Sequence, residues 1–196
     1  KRFVQLSNID ENRGAAFPKH EELREQPISP YSLAKVACTH FLQMLYCTEK
    51  FPVVILRLFL TYGPGQDEGR FLPLIIRGCL DNNEFSTSAG EQLRDFCYVE
   101  DTVQAILLAL ITNKAVGEVI NVASGEAVSI QTMIDKVCEF TSSGKPQYGE
   151  VPYRNGENMA LYANVEKAEK YLQWKPKTKL DQGLQETIDW YKNNKA

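Results

Sequence analysis

The sequence predicts an α/β fold with a parallel sheet. Two observations carry this prediction: apolar runs rich in β-branched residues alternate with amphipathic stretches of helical spacing, and the run at residues 52–60 is apolar throughout. A continuous apolar run is typical of a parallel strand that is covered on both faces. The 196 residues are 43% hydrophobic and 24% charged, which suits one globular domain with a sizeable core.

The predicted elements alternate along the chain. Helices are marked by their starts, because Ser-Pro precedes the first one, two acids open the third and Ser129 suits the N-cap of the fourth. Strands are predicted at residues 3–6, 52–60, 85–88, 93–99 and 118–122. Helices are predicted from residue 29 or 30 to about 50, and at residues 71–80, 100–111, 129–140, 165–172 and 180–193, with residues 145–158 irregular.

Charge and cysteine usage exclude several function classes. The net charge is −3 and no basic run is present, so nucleic acid is not an expected partner. The five cysteines are scattered without a CxxC pair, which is typical of reduced thiols in a cytoplasmic protein and predicts neither a disulfide framework nor a metal site. No stretch has transmembrane length and no signal peptide is evident, so no membrane partner is expected. The chain opens without Met on what reads as a strand, and we expect an upstream part.

Tyr31 and Lys35 form the most informative pair. They stand four residues apart at the start of the first predicted helix, hence on one face. An ammonium one turn away favours the phenolate, so such a tyrosine can exchange a proton near neutral pH. The alternative is a surface pair on an ordinary amphipathic helix, because this spacing is frequent by chance.

Six motifs in order resemble the extended short-chain dehydrogenase/reductase family of NAD(P)-dependent nucleotide-sugar epimerases, dehydratases and reductases. After the first strand with Ser7 come PYSLAK, RLFLTYGPGQ, LRDFCYVED, GEVINVASG and YRNGE. The resemblance covers essentially the whole chain. It implies a partial Rossmann-like doubly wound sheet with a small α/β substrate-binding region. Residues 1–62 would complete the cofactor domain, residues 63–196 would mainly bind substrate, and residues 93–122 would return to the sheet.

The resemblance implies a catalytic group and a cofactor. Tyr31 would be the acid/base on a sugar oxygen, Lys35 would tune it and bind the nicotinamide ribose, and Ser7 would hydrogen-bond the reacting oxygen. Leu58 and Phe59 would flank the nicotinamide of NAD or NADP, with NAD favoured. Simpler alternatives are a strand-end cap for Ser7 and core packing for Leu58 and Phe59. The family's GxxGxxG turn is absent from the sequence, so we expect the chain alone to bind the cofactor weakly.

The resemblance also implies a nucleotide-sugar site. Arg94 and Arg154 would bind the diphosphate, Glu157 the ribose hydroxyls, and Phe85 the base, while Leu60 stands where many relatives carry a substrate-binding Asn. The alternatives are an Arg94 ion pair with Asp95 or Asp101, a surface pair of Arg154 with Glu157, and a buried strand residue at position 85.

The predicted function is that of an epimerase or reductase of a nucleotide-linked sugar. A 4,6-dehydratase is the first alternative, because Asp10-Glu11 resembles that group's acid pair, although Ile9 replaces its Thr. A non-catalytic sugar-nucleotide-binding fragment is the second. The apolar face of the helix that contains Tyr31 predicts a homodimer, or burial within one chain.

Overall fold

The computed structural model describes residues 1–8, 18–27 and 29–194. The chain forms two compact units where composition predicted one domain. Unit 1 comprises residues 1–61, 95–126 and 161–177, and unit 2 comprises residues 62–94, 127–160 and 178–196. The described residues contain no helix that is both long and apolar enough to cross a bilayer.

The predicted alternation of strands and helices is confirmed. The strands are β1 Phe3–Asn8, β2 Val53–Leu58, β3 Leu60–Tyr62, β4 Glu84–Ser86, β5 Leu93–Arg94, β6 Phe96–Tyr98, β7 Val119–Val122, β8 Val128–Ser129, β9 Lys145–Gln147 and β10 Ala160–Leu161. The helices are α1 Pro30–Glu49, α2 Phe71–Leu80, α3 Val99–Ile111, α4 Ile130–Thr141, α5 Glu166–Leu172 and α6 Leu180–Asn193, with a short 3₁₀ turn at Asn113–Ala115.

Unit 1 is built on a parallel sheet in the order β1-β2-β7. Successive residues of β2 point to opposite faces, and every residue from Val53 to Leu56 is fully buried. On one face Val53 and Ile55 pack with Leu42 of α1. On the other face Val54 and Leu56 belong to the cluster that contains helices α3 and α5. The predicted two-sided burial of this strand is therefore confirmed.

Helix α1 begins and ends as the sequence predicts. The Ser29 hydroxyl accepts the Ser32 amide at 3.1 Å, and Pro30 occupies the first turn, where its missing N–H costs nothing. The helix closes at Lys50 in the left-handed conformation with φ 55°, and the Lys50 amide caps the last carbonyls.

Two strands predicted as continuous are broken. After β2 the Phe59 amide bonds Val122, but the Leu60 amide bonds the carbonyl of Asp95 at 3.2 Å, so β3 leaves the main sheet and pairs with β6. The strand predicted at residues 93–99 is likewise broken: at Asp95 it divides into β5 and β6, which belong to different sheets. An apolar run reports burial, and the change of hydrogen-bonding partner within it leaves no periodic signal.

Unit 2 contains helices α2, α4 and α6, which pack on one another, and short strand pairs. Strand β5 pairs antiparallel with β8, and β4 pairs parallel with β9. The prediction that residues 145–158 are irregular is wrong at β9. Its middle residue, Pro146, lacks an N–H and so weakens any strand prediction, yet Pro146 lies opposite Phe85 in the pair.

Candidate functional site

Tyr31 and Lys35 lie together on unit 1. The Lys35 ammonium is 5.5 Å from the centroid of the Tyr31 ring, and it donates a hydrogen bond of 2.9 Å to the carbonyl of Leu6. Tyr31 is 55% exposed. The lysine is thereby held at the carboxyl end of β1, the end at which ligands bind in parallel α/β sheets. An ammonium has three N–H donors, so the bond to Leu6 is compatible with holding a ribose hydroxyl as well.

Ser7 lies one residue beyond Leu6 and is buried. Its hydroxyl is 3.3 Å from that of Thr39, which is itself buried on α1. Sequence reasoning missed Thr39, although it follows Lys35 by four residues and so shares its helix face. Ser7, Thr39 and Lys35 together join α1 to the end of β1.

A buried polar cluster that sequence reasoning missed covers the ends of β2 and β7. Arg57 is 1% exposed; it donates to the carbonyl of Glu21 at 2.9 Å and to the carboxylate of Glu25 at 2.6 Å. The Glu21 carboxylate accepts the Asn121 amide at 2.8 Å. Burial raises the pKa of Glu21 and lowers that of the fully buried Lys19. Arg57 and Asn121 belong to the motifs RLFLTYGPGQ and GEVINVASG, but neither motif predicts the cluster. The pairing of β2 with β7 places Arg57 opposite Asn121, and the distant segment of residues 18–27 supplies Glu21 and Glu25.

Leu58, Phe59 and Leu60, at the end of β2 and directly after it, differ in how deeply their side chains are buried. Phe59 is 5% exposed and packs with Ala123, Leu161 and Ala163, which supports the core-packing alternative. Leu58 is partly buried against the core cluster of α3 and α5. Leu60 is 41% exposed, and its side chain carries no hydrogen-bonding group.

Asp95 is a fully buried carboxylate that ties three chain segments of unit 1 together. One oxygen accepts the amide and the hydroxyl of Ser124, both at 2.6 Å. The other oxygen accepts the amides of Gly125 at 2.9 Å and Ala163 at 3.2 Å. Burial raises the pKa of Asp95, and these four donors oppose that rise. Asp95, which the sequence predicts only as a possible ion-pair partner of Arg94, is thus the residue of the LRDFCYVED motif that holds these segments together.

Unit 2 contains an open cavity of about 510 Å³. Its wall is mainly apolar, and its polar groups are hydroxyls, one amide, a phenol and two charged side chains. The lining residues are Phe71, Leu74, Ile75, Phe85, Ser86, Thr87, Ser88, Gln92, Ile130, Val151, Pro152, Tyr153, Arg154 and Glu157. This volume lies in the range of small-molecule sites in proteins. Three predicted substrate residues, Phe85, Arg154 and Glu157, therefore line one cavity.

Arg94 contacts the same loop. Its Nη2 donates to the Glu157 carboxylate at 2.5 Å, and its Nη1 donates to the carbonyls of Leu93 at 2.8 Å and Asn158 at 2.7 Å. The ion pair of Arg94 is therefore with Glu157, and not with Asp95 or Asp101 as in the alternative prediction. Its side chain is 11% exposed, so the pair is sheltered from water.

A tight turn presents Arg154 and Glu157. The Glu157 amide bonds the Arg154 carbonyl at 2.9 Å, and Gly156 has φ 74°, a conformation that favours glycine. The alternative of a surface ion pair between Arg154 and Glu157 is wrong, because the Glu157 carboxylate pairs with Arg94.

Phe85 is partly buried, and its ring packs against Gly78: a Cβ atom added to Gly78 would lie 3.0 Å from the ring.

Two further predictions concern the acid pair after β1 and metal binding. Ile9, Asp10 and Glu11 lie outside the described residues. Within the described ranges, no group of three or more His, Cys, Asp or Glu side chains could hold a metal ion.

The parallel sheet of unit 1, the Tyr31–Lys35 pair at the end of β1 and the cavity of unit 2 define a Rossmann-like α/β protein. The sequence profile of the family described as GDP-mannose 4,6 dehydratase matches residues 2–187, and the chain belongs to that family.

Among curated proteins, dTDP-D-glucose 4,6-dehydratase of Homo sapiens is 31% identical over 99% of this chain and 57% of its own length. Among solved structures, UDP-glucose 4-epimerase of Thermotoga maritima, crystallised with UDP-glucose, has TM-score 0.91 at 28% identity and covers 98% of this chain and 64% of its own. The dTDP-glucose 4,6-dehydratase of Bacillus anthracis, in complex with NAD, has TM-score 0.89 at 28% identity, covering 98% and 62%. The chain thus spans about three fifths of these relatives, and the Rossmann-like prediction is confirmed.

Proposed function

We propose that this chain carries catalytic and substrate-binding residues of an NAD(P)-dependent enzyme that acts on a nucleotide-linked sugar as an epimerase or reductase. The observation that carries the proposal is the Tyr31–Lys35 contact, held at the carboxyl end of β1 by the bond from Lys35 to Leu6. The named relatives include sugar-nucleotide epimerases and dehydratases, which supports the same class of chemistry.

NAD is the cofactor we propose, because a dehydratase of this fold was solved with it. When bound, NAD supplies a nicotinamide ring that accepts or returns a hydride at a sugar carbon. Tyr31 and Lys35 would hold the nicotinamide ribose, and their hydroxyl and ammonium groups fit its two hydroxyls. Leu58 and Phe59 remain proposals as neighbours of the ring, and Phe59 is the weaker of the two because it is buried in the core.

The chain's own residues would move the proton. As the phenolate, Tyr31 takes the proton of a sugar hydroxyl and becomes the phenol; as the phenol, it gives that proton to a sugar carbonyl oxygen and becomes the phenolate again. The Lys35 ammonium stabilises the phenolate form. We propose Ser7 as the hydroxyl that hydrogen-bonds the same oxygen. Its contact with Thr39, at 3.3 Å, is long for a bond between hydroxyls and so is readily exchanged.

The cavity of unit 2 is the proposed nucleotide site, and unit 1 the proposed cofactor part. Phe85 and Arg154 line this cavity, and Arg94 reaches it through its bond to Glu157. Phe85 would pack on the base, and the two guanidinium groups suit phosphate oxygens. Glu157 suits ribose hydroxyls. Leu60 limits that side of the sugar to apolar contact, because leucine has no donor or acceptor.

A 4,6-dehydratase is the second candidate. It is favoured by the human and bacterial relatives with that name and by the Asp10-Glu11 pair in the sequence. The test is to incubate the full-length gene product with NAD and dTDP-glucose or UDP-glucose, and to analyse the product by mass spectrometry and NMR. A product of unchanged mass with inverted stereochemistry supports an epimerase, and one that has lost a water supports a dehydratase.

The third possibility, a binding fragment without catalysis, is separated by the same experiment. Such a protein would bind UDP in calorimetry but give no product with NAD and any nucleotide sugar. No UDP binding and no turnover together would refute the proposed function. A glycine-rich GxxGxxG turn encoded upstream of Lys1 would favour the enzyme.

We also propose a homodimer through α1 and a cytoplasmic location. Leu33, Phe41 and Met44 are 57%, 56% and 45% exposed and recur along one side of α1. Pairing with a second copy would cover this stripe. A Phe41→Glu variant that remains dimeric by sedimentation equilibrium would exclude this interface.

A further inference from the structure

Glu157 lines the cavity of unit 2 and forms an ion pair with Arg94. Arg94 is not among the lining residues, and its Nη2 lies 2.5 Å from the Glu157 carboxylate. Only 11% of the Arg94 side chain is exposed. The Arg94 guanidinium is thus paired with a carboxylate of opposite charge that itself lines the cavity.

The other contacts of Arg94 hold the guanidinium in place. Nη1 bonds the carbonyls of Leu93 and Asn158, which uses both of its N–H groups. A two-pronged contact with phosphate requires two parallel N–H groups, and Nη2 contributes to both such pairs of a guanidinium. Glu157 takes one of the two N–H groups of Nη2, so its carboxylate competes with phosphate for a donor of the nitrogen that both pairs share.

We propose that Glu157 is a specificity-determining residue that exchanges partners when a nucleotide diphosphate binds. This inference rests on the proposed function, since it takes the cavity to be the nucleotide site. The diphosphate displaces the Glu157 carboxylate from Nη2 of Arg94, and the released carboxylate accepts a hydrogen bond from the ribose. A phosphate without a ribose pays for the displacement with no such return, so the site selects nucleoside diphosphates over free pyrophosphate.

The local backbone allows this exchange without a large movement. The turn is fixed by the bond from the Glu157 amide to Arg154 and by the left-handed Gly156. Arg94 also holds the next residue, Asn158, through its carbonyl. The Glu157 side chain can therefore rotate about its own bonds while the backbone on either side stays in place.

The test measures binding of two probes, inorganic pyrophosphate and UDP, by isothermal titration calorimetry. The proteins are the unmodified chain, Glu157→Gln, and Glu150→Gln as a control that removes the same charge from an exposed position of the same unit. We expect Glu157→Gln to bind pyrophosphate about three- to tenfold more tightly, because an opposing charge is gone. UDP should gain less than pyrophosphate, and Glu150→Gln should change neither affinity.

The outcomes separate this inference from the proposed function. If the unmodified chain binds UDP but Glu157→Gln binds pyrophosphate no more tightly, the exchange is wrong and the nucleotide site stands. If the unmodified chain binds neither probe, both ideas fail. Glu157→Asp serves as a second variant in case Glu157→Gln misfolds: its shorter side chain loosens the pair while it keeps the charge, so an intermediate gain is expected and no gain would contradict the exchange.

Discussion

A tyrosine followed four residues later by a lysine occurs at both ends of helix α1: Tyr31 and Lys35 lie in its first turns, and Tyr46 is followed by the C-cap residue Lys50. Lys35 lies 5.5 Å from the Tyr31 ring, and Lys50 lies 5.8 Å from the Tyr46 ring at the same spacing. Lys35 donates to the carbonyl of Leu6 on β1, whereas Lys50 donates to Cys47 of its own helix. The spacing therefore brings ammonium and ring together in both cases, and only the first pair is joined to the end of a parallel strand.

The rings differ as well. Tyr31 is 55% exposed, whereas Tyr46 is partly buried against the core cluster of Leu42, Val53 and Ile55. Gly117 lies so close to the Tyr46 ring that it has no room for a Cβ atom. Tyr46 and Lys50 thus have a structural role. The Tyr-x-x-x-Lys spacing alone does not distinguish them from Tyr31 and Lys35, whose lysine is bonded to β1.

The largest difference between the two pairs is expected when each tyrosine is replaced by phenylalanine. In the full-length gene product, Tyr31→Phe should lower turnover by about 100- to 10,000-fold, because proton transfer to the sugar oxygen is lost. Tyr46→Phe is the matched control and should leave turnover unchanged. Both are measured by steady-state kinetics, with nucleotide-sugar binding retained in Tyr31→Phe. Equal activity of the two variants would remove Tyr31 from the mechanism.

The second effect concerns stability at the structural pair. Gly117→Ala should destabilise the protein by about 2 to 4 kcal/mol, because a left-handed residue with φ 86° acquires a side chain and that side chain meets the Tyr46 ring. Gly149 has φ 84° with no heavy atom within 4 Å of an added Cβ, so Gly149→Ala should cost only about 1 kcal/mol. Urea unfolding of both variants isolates the contact with Tyr46; similar losses would show that it contributes little.

The third effect tests the lysines. Lys35→Met should lower turnover about tenfold or more, because it removes both the stabilisation of the phenolate and the bond to Leu6. Lys50→Met lacks only a bond within the last turn of α1 and a contact with Tyr46, so its turnover should match that of the unmodified enzyme. A fall of the same size in both variants would indicate a general loss of helix stability.

The smallest expected effect concerns Glu21, a buried carboxyl of unit 1, and the pH dependence of the free energy of unfolding. Burial raises the pKa of Glu21 above its unfolded value of about 4.3, so the folded protein binds the proton more tightly. Its contribution to stability should therefore fall as pH rises from about 4.3 through the raised pKa. Glu21→Gln can still accept the Asn121 amide and has no proton to lose, so its unfolding free energy should depend less on pH across that range. An identical pH profile would contradict this assignment.

The sequence predicted the parts of this site that are local. Tyr31, Lys35 and the capped start of α1 lie within one helix, and helical geometry brings them together wherever the helix sits. The β2 strand and the helix of unit 2 that begins after Ser129 were likewise predicted from patterns contained within one element. The family resemblance added Phe85, Arg154 and Glu157, which the structure places around one cavity.

What the sequence left out depends on contacts between distant segments. The Arg94–Glu157 pair joins residues 63 positions apart, and Arg57 reaches Glu25 across 32 positions. The breaks at Phe59 and Asp95 come from a change of hydrogen-bonding partner inside an apolar run. Neither kind of information is periodic, so neither appears in hydrophobic patterns.

The chain passes from one unit to the other after Thr61, Arg94, Glu126, Ala160 and Lys177. Neither unit is a continuous stretch of polypeptide, so neither can be excised by a single cut or transferred intact to another protein by joining gene segments. A truncation that removes more than residues 1–61 from one end, or more than residues 178–196 from the other, takes residues from both units. A substitution in unit 2 must therefore be accommodated by a polypeptide whose other segments form unit 1.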